Sequence, residues 1–149
     1  EVIDTRAPVR PDGFYGLSKA FGENLAQLYF DRYGIETVSL RIGSCIEKPL
    51  EKRHLSTWLG FGDLVHLIER CIETPQVGHL QIYGVSNNTR SYWDNTQSAS
   101  LGYQPTQNAE DWASQIEHID PRDPVAQRHQ GGIFVPYDYT PMNQRPRNP

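Results

Sequence analysis

Apolar residues recur at helical spacing from Phe21 to Tyr29, and this pattern predicts an amphipathic helix. Gly34 follows the last apolar turn and is typical of the left-handed residue that ends a helix. The next segment, 35–42, is rich in β-branched residues and predicts a buried strand. The segment 43–56 is then expected to be a loop at the strand's carboxyl end, where open α/β sheets place their ligands.

A second helix and a second strand follow. The helix is predicted over 61–73, and its apolar face carries Leu64, Val65, Leu67, Ile68, Cys71 and Ile72. Pro75 ends it, because proline cannot continue a helix. Residues 80–85 alternate as a short strand. Further helical pieces are predicted near 94–101 and 109–117, and irregular structure from 120 onward, so the fold class is α/β.

Bulk composition excludes several classes of partner. The 149 residues carry a mild net charge of −4, which argues against nucleic acid or an anionic membrane as the main partner. No apolar run approaches the roughly 20 residues that span a bilayer. The two cysteines cannot form a disulfide framework and have no metal-ligand spacing, so we expect a cytoplasmic protein without a metal site.

Tyr15 and Lys19 form the first candidate for chemistry. Their i, i+4 spacing puts both side chains on one helix face, about 6 Å apart at Cβ. A free phenol titrates near pH 10, and a neighbouring ammonium favours its ionised form. A tyrosine in that setting can act as a general base toward an alcohol during hydride transfer. The plainer alternative is a solvated lysine one turn after a half-buried tyrosine.

Several segments together resemble a known family. The stretch 11–19, the helix after it and the stretch 34–45 resemble the extended short-chain dehydrogenase/reductases. The segments 40–45, 53–58, 91–95 and 130–135 resemble, within that group, the uronate dehydrogenases. The resemblance implies a Rossmann-like parallel sheet flanked by helices, of which this chain is the C-terminal part of a single NAD(P)-binding domain.

The resemblance also implies an activity: oxidation of the C1 hemiacetal of D-galacturonate or D-glucuronate to an aldarolactone, with NAD as the hydride acceptor. Tyr15 is then the catalytic base, and Lys19 its partner and a contact of the nicotinamide ribose. Ile42 and Cys45 are assigned to the cofactor. The serine that usually completes this catalytic set is expected upstream, outside this chain.

Ser44 and Arg53 are the substrate-binding residues that the resemblance implies. The Ser44 hydroxyl is expected to bond the sugar, and the Arg53 guanidinium to grip the C6 carboxylate with two parallel hydrogen bonds. Lys48, Lys52 and His54 are candidates for added positive potential nearby. The plainer alternatives are a turn residue for Ser44, a small buried residue for Cys45 and, favoured by the residues alone, a surface ion-pair partner for Arg53.

The glycine-rich turn that cradles a dinucleotide is not found in these 149 residues; 60–63 is the nearest approach. We therefore expect the N-terminal dinucleotide-binding half to be absent here, and the isolated chain not to reduce NAD⁺. A nucleotide-sugar epimerase or dehydratase and a non-catalytic truncated module are the alternatives. We also expect a homo-oligomer, with the tail 130–135 as a candidate for subunit contacts.

Overall fold

A computed structural model describes residues 2–121 and 123–135, without the side chains of 127 and 128. Helix α1 spans Phe14–Tyr33 and ends at Gly34, whose φ of 67° is left-handed and whose N–H donates to the Phe30 carbonyl. The predicted helix and its glycine stop are confirmed.

Strands β1 (Thr37–Ile42) and β4 (His79–Gly84) form a parallel pair, in register from Thr37 opposite His79 to Ile42 opposite Gly84. Helix α3 (Phe61–Glu73) lies between them in sequence and forms part of the crossover that a parallel pair requires. Both strands and this helix agree with the predicted α/β alternation.

The segment 43–56 is more ordered than predicted. Strand β2 (Ser44–Cys45) pairs in parallel with β3 (Trp58–Leu59), and the short helix α2 (His54–Thr57) leads into β3. The two strands come very close at Gly43, where a Cβ would lie 2.0 Å from the Thr57 carbonyl oxygen. Two-residue strands carry no periodic signal, so the sequence pattern does not reveal them.

Two hydrophobic clusters flank this pairing. One contains Leu55, Trp58, Ala109, Ala113 and Ile116, and the other contains Leu67, Ile82, Leu101 and Tyr103. The first cluster fixes α2 and β3, and the second fixes α3 against β4. The short helix and strand that follow Arg53 therefore rest on packed apolar side chains.

The remaining helices of the described chain are short. Two 3-10 helices span Thr96–Leu101 and Ala109–Trp112, and α4 spans Ala113–Ile116. The helical pieces predicted near 94–101 and 109–117 exist, but mostly as 3-10 turns. Beyond 120, where irregular structure is expected, α5 spans Pro124–Arg128 and a 3-10 turn spans Gly132–Phe134. Asp123 caps α5 by accepting from the Val125 N–H.

Much apolar surface remains exposed. No residue of α1 is fully buried among the described residues, and Val65, Ile68 and Ile72 of α3 are exposed rather than part of a buried face. Within the described ranges, no helix combines the length and hydropathy that a membrane crossing needs. The same residues contain no group of three or more His, Cys, Asp or Glu side chains that could hold a metal ion.

Candidate active site

Tyr15 and Lys19 face the same side of α1, as their spacing predicts. The Lys19 ammonium nitrogen lies 5.1 Å from the centroid of the Tyr15 ring, within the range of a cation–π contact. Tyr15 is 54% exposed and its ring stacks on that of Phe134, with centroids 5.0 Å apart and planes inclined by 21°. Phe134 thus covers one face of the candidate base while much of the tyrosine still reaches solvent.

Ser44 and Arg53 are brought together at the small β2–β3 sheet. The Arg53 Nη1 donates to the Ser44 hydroxyl at 3.3 Å, and the Ser44 hydroxyl lies 3.0 Å from that of Thr57. Thr57 donates to the Arg53 carbonyl oxygen at 3.2 Å, one helical turn back. The two predicted substrate-binding residues therefore share a hydrogen-bond network with a threonine that the sequence did not single out.

The tail residues 130–132 contact the other side of Arg53. Its Nη2 donates to the Gln130 carbonyl oxygen at 2.6 Å. The Gln130 side chain accepts from the Trp93 indole N–H at 3.2 Å. A Cβ at Gly132 would lie 3.0 Å from the Arg53 Cζ, so the glycine backbone lies against the guanidinium. The segment 130–135, the candidate for subunit contacts, thus also contacts the candidate site within this chain.

The same tail links Arg53 to Tyr15. Gly132 lies against Arg53 and Phe134 stacks on Tyr15, and these two tail residues are only two positions apart. Two residues span at most about 7 Å of chain, so the carboxylate-binding candidate and the candidate base occupy one region. This juxtaposition joins the amino end of α1, the β2–β3 sheet and the tail.

Ile42 and Cys45 lie at the carboxyl ends of β1 and β2. Ile42 is about half exposed, and Cys45 is half-buried with a free thiol. Burial raises the pKa of that thiol, which keeps it protonated and unreactive at neutral pH. Cys45 is therefore not activated as a nucleophile, and both residues are available for contact with a ligand.

The residues expected to add positive charge near Arg53 lie in different environments. His54 accepts from the Leu50 N–H at 3.0 Å, and burial lowers its pKa to about 4, so it is neutral at pH 7 and adds no positive charge. Lys52 is exposed and lies 3.9 Å from Asp120. Arg53 is therefore flanked by a neutral histidine and by a lysine engaged with a carboxylate.

Glu23 lies one helical turn after Lys19 but binds Arg41 of β1. It receives two hydrogen bonds from Arg41, each 2.8 Å long. Arg41 also donates to the Thr5 carbonyl oxygen, and its pKa is raised chiefly by the bond to Glu23. The ion pair joins α1 to β1 and leaves Lys19 beside Tyr15.

No family model matches the chain. The chain is 48% identical over 137 residues to a uronate dehydrogenase from Pseudomonas syringae pv. tomato, covering 91% of this chain and 50% of that protein. A uronate dehydrogenase from Pseudomonas putida is 50% identical over 137 residues, with 91% and 51% covered. A solved mutant of uronate dehydrogenase from Agrobacterium tumefaciens, complexed with NAD, superposes with a TM-score of 0.84 at 45% identity, covering 91% of this chain and 52% of that one.

These similarities confirm the resemblance and the Rossmann-like fold class. The chain spans about half the length of the curated relatives it matches.

Proposed function

We propose that the full-length protein containing this chain is an NAD-dependent uronate dehydrogenase. The observation that carries the proposal is the position of Arg53, which holds the Ser44 hydroxyl and lies against the same tail segment as Tyr15. An anion-binding group, a hydroxyl-binding group and a candidate base thus surround one region, as an acidic sugar requires. The similarity to uronate dehydrogenases over 91% of the chain supports the same substrate class.

The reaction assigned to this region is oxidation of a cyclic uronate at C1. The Tyr15 phenolate takes the proton of the anomeric hydroxyl while the C1 hydrogen leaves as hydride, and the C1–O bond becomes the carbonyl of a lactone. NAD, when bound, accepts that hydride. The Lys19 ammonium lies over the Tyr15 ring, 5.1 Å from its centroid, beside the group that takes the proton.

Arg53 determines the substrate class in this proposal. A guanidinium has five N–H donors, so its bonds to Ser44 and Gln130 leave donors for a carboxylate. Its planar donor geometry matches a carboxylate with two parallel hydrogen bonds. Ser44 then contacts a sugar hydroxyl next to that carboxylate.

The residues present suit the nicotinamide end of NAD. Tyr15 and Lys19 are exposed on one face of α1, and Ile42 and Cys45 stand at the carboxyl ends of parallel strands, where such folds bind their ligands. The glycine-rich turn for the pyrophosphate is not found in these 149 residues. We assign this chain the nicotinamide and sugar contacts and leave the phosphate contacts to the remainder of the protein.

The proposal is tested by NADH formation with the full-length protein. We expect turnover of galacturonate and glucuronate, and much weaker turnover of galactose, which lacks the carboxylate. A hexose 6-phosphate tests whether Arg53 accepts a different anion at the same carbon. Activity confined to a UDP-sugar would identify a nucleotide-sugar enzyme and overturn the proposal.

We also propose a homo-oligomer in the cytoplasm. The exposed apolar side chains of α1 support an assembled state, and the two free cysteines suit a reducing compartment. Light scattering of the full-length protein tests the first point, and fractionation of the source cells tests the second.

A further inference from the structure

Thr57 is the buried centre of the Arg53–Ser44 network. It has 0% of its surface exposed, so it does not reach a sugar bound at the site. Its hydroxyl nevertheless lies within hydrogen-bond distance of three groups: Ser44 Oγ at 3.0 Å, the Arg53 carbonyl at 3.2 Å and the Arg53 Nη1 at 3.5 Å. A buried hydroxyl with these neighbours acts on a ligand only through Ser44 and Arg53.

The protons of this network can be assigned by counting donors. Thr57 has one hydroxyl proton, which it gives to the Arg53 carbonyl oxygen, the usual acceptor of a helical threonine. Its oxygen then accepts the proton of Ser44. The Ser44 oxygen accepts in turn from the Arg53 Nη1, and the network closes on the residue where it began.

The alternative assignment is less favourable. If Thr57 gave its proton to Ser44, the Arg53 carbonyl would lose that bond, and none of the three network contacts would take the Ser44 proton. The Arg53 carbonyl would keep its bond from the Ser56 N–H, at 3.1 Å, but the closed network has one more hydrogen bond and is therefore preferred. Its consequence is directional: the Ser44 proton points inward, and its remaining lone pair faces outward.

We propose that Thr57 is a positioning residue that makes Ser44 a hydrogen-bond acceptor and fixes Arg53 beside it. Ser44 then selects a hydroxyl group of the sugar as its donor, while Arg53 takes the carboxylate. This inference rests on the proposed uronate dehydrogenase function and adds to it the orientation of the sugar. The backbone reinforces the arrangement, since Ser44 is opposite Trp58 in the β2–β3 pair and Gly43 lies against the Thr57 carbonyl.

The test compares Thr57→Val, which keeps the shape and removes the hydroxyl, with Thr57→Ser, which keeps the hydroxyl. In the full-length protein we expect Thr57→Val to raise the KM for galacturonate about tenfold, the value of one hydrogen bond. The kcat and the KM for NAD should change by less than about threefold, since Tyr15 and Lys19 are untouched. Thr57→Ser should restore the KM for galacturonate to within about threefold of the wild type.

A double-mutant cycle shows whether Thr57 acts through Ser44. In a Ser44→Ala background, Thr57→Val should raise the KM by less than about twofold, because the hydroxyl that it orients is gone and Arg53 keeps its bond to the Gln130 carbonyl. If Thr57→Val does not fold, as judged by circular dichroism, Thr57→Ala replaces it with the same expectations.

Failure of the Thr57 proposal can be distinguished from failure of the proposed function. The role of Thr57 is overturned, while the wild type still oxidises uronates, by any of three results. These are an unchanged KM in folded Thr57→Val, an equal rise of the KM in Thr57→Ser, or full additivity of Thr57→Val with Ser44→Ala. No turnover of either uronate by the wild-type protein overturns the proposed function, and the sugar orientation with it.

Discussion

The backbone of Gly132 lies against the face of the Arg53 guanidinium. A Cβ added at this glycine would be 3.0 Å from Cζ and 3.2 Å from each Nη, so the three distances place it above the guanidinium plane. Gly132 has a φ of 57°, which glycine adopts without steric cost. The backbone conformation and the close approach to Arg53 therefore both require glycine at position 132. The glycine in turn lets the tail hold the guanidinium in place.

Gly132→Ala should weaken uronate binding more than it weakens the fold. The added methyl displaces the guanidinium, and we expect the KM for galacturonate to rise about tenfold, with kcat within about threefold. Steady-state kinetics of the full-length protein measure both constants.

Gly102→Ala is the matched control for Gly132→Ala. Gly102 has a φ of 71°, but nothing lies within 4 Å of its added Cβ. It carries the same backbone strain of about 1 kcal/mol without a contact to Arg53, so stability should fall and the KM should not change. Equal KM values in the two variants would contradict the role of the tail.

Arg53→Lys should show whether guanidinium geometry matters beyond charge. Lysine keeps the positive charge but cannot form the two parallel bonds, and we expect the KM for galacturonate to rise about 30- to 100-fold, equivalent to about 2–3 kcal/mol. The preference for galacturonate over galactose should shrink by a similar factor. Lys52→Met, which removes the adjacent exposed charge, is the control and should leave both quantities nearly unchanged; a comparable loss there would point to general electrostatics.

The local sequence pattern was sufficient to predict the elements that position Tyr15. The helix period, the glycine stop at Gly34 and the β-branched run before Gly43 are encoded within short windows, and the structure has the helix end at Gly34 and a strand over Thr37–Ile42 within the predicted 35–42. The i, i+4 spacing likewise fixes Lys19 beside Tyr15, because helix geometry determines that relationship.

Contacts between residues far apart in the chain could not be predicted from the sequence pattern. Thr57 meets Ser44 only because Gly43 allows two strands of two residues to approach, and such strands have no period. Phe134 reaches Tyr15 through a tail whose composition predicts irregular structure. Glu23 pairs with Arg41 rather than Lys19 because tertiary packing of α1 on β1 outweighs helical spacing. Pairings of this kind depend on the whole fold.

Glu23→Gln should destabilise the protein through Arg41. The pair is mostly buried, with side-chain exposures of 14% and 23%, and loss of the carboxylate leaves the guanidinium without its ionic partner. We expect the free energy of unfolding to fall by about 1–3 kcal/mol, measured by urea denaturation of the full-length protein. Glu73→Gln breaks the more exposed pair with Arg70 and should have little effect; equal shifts would show that burial of the Glu23–Arg41 pair is unimportant.

His54 should make stability depend on pH between about 4 and 6.5. Burial lowers its folded pKa to about 4 from 6.5, so between these values the unfolded chain binds the extra proton. Stability is then complete above pH 6.5 and is lost as the pH falls toward 4, by up to about 3 kcal/mol. Urea denaturation at pH 7.5, 6, 5 and 4.5 measures this loss.

His54→Asn isolates that contribution, because its side-chain oxygen can still accept from the Leu50 N–H but does not titrate. Burial raises the pKa of Glu51, which acts in the opposite sense in both proteins and leaves their difference to His54. The variant should therefore lose less stability than the wild type between pH 6.5 and 4.5. Parallel stability curves would mean that His54 is protonated as readily in the folded protein as in the unfolded chain.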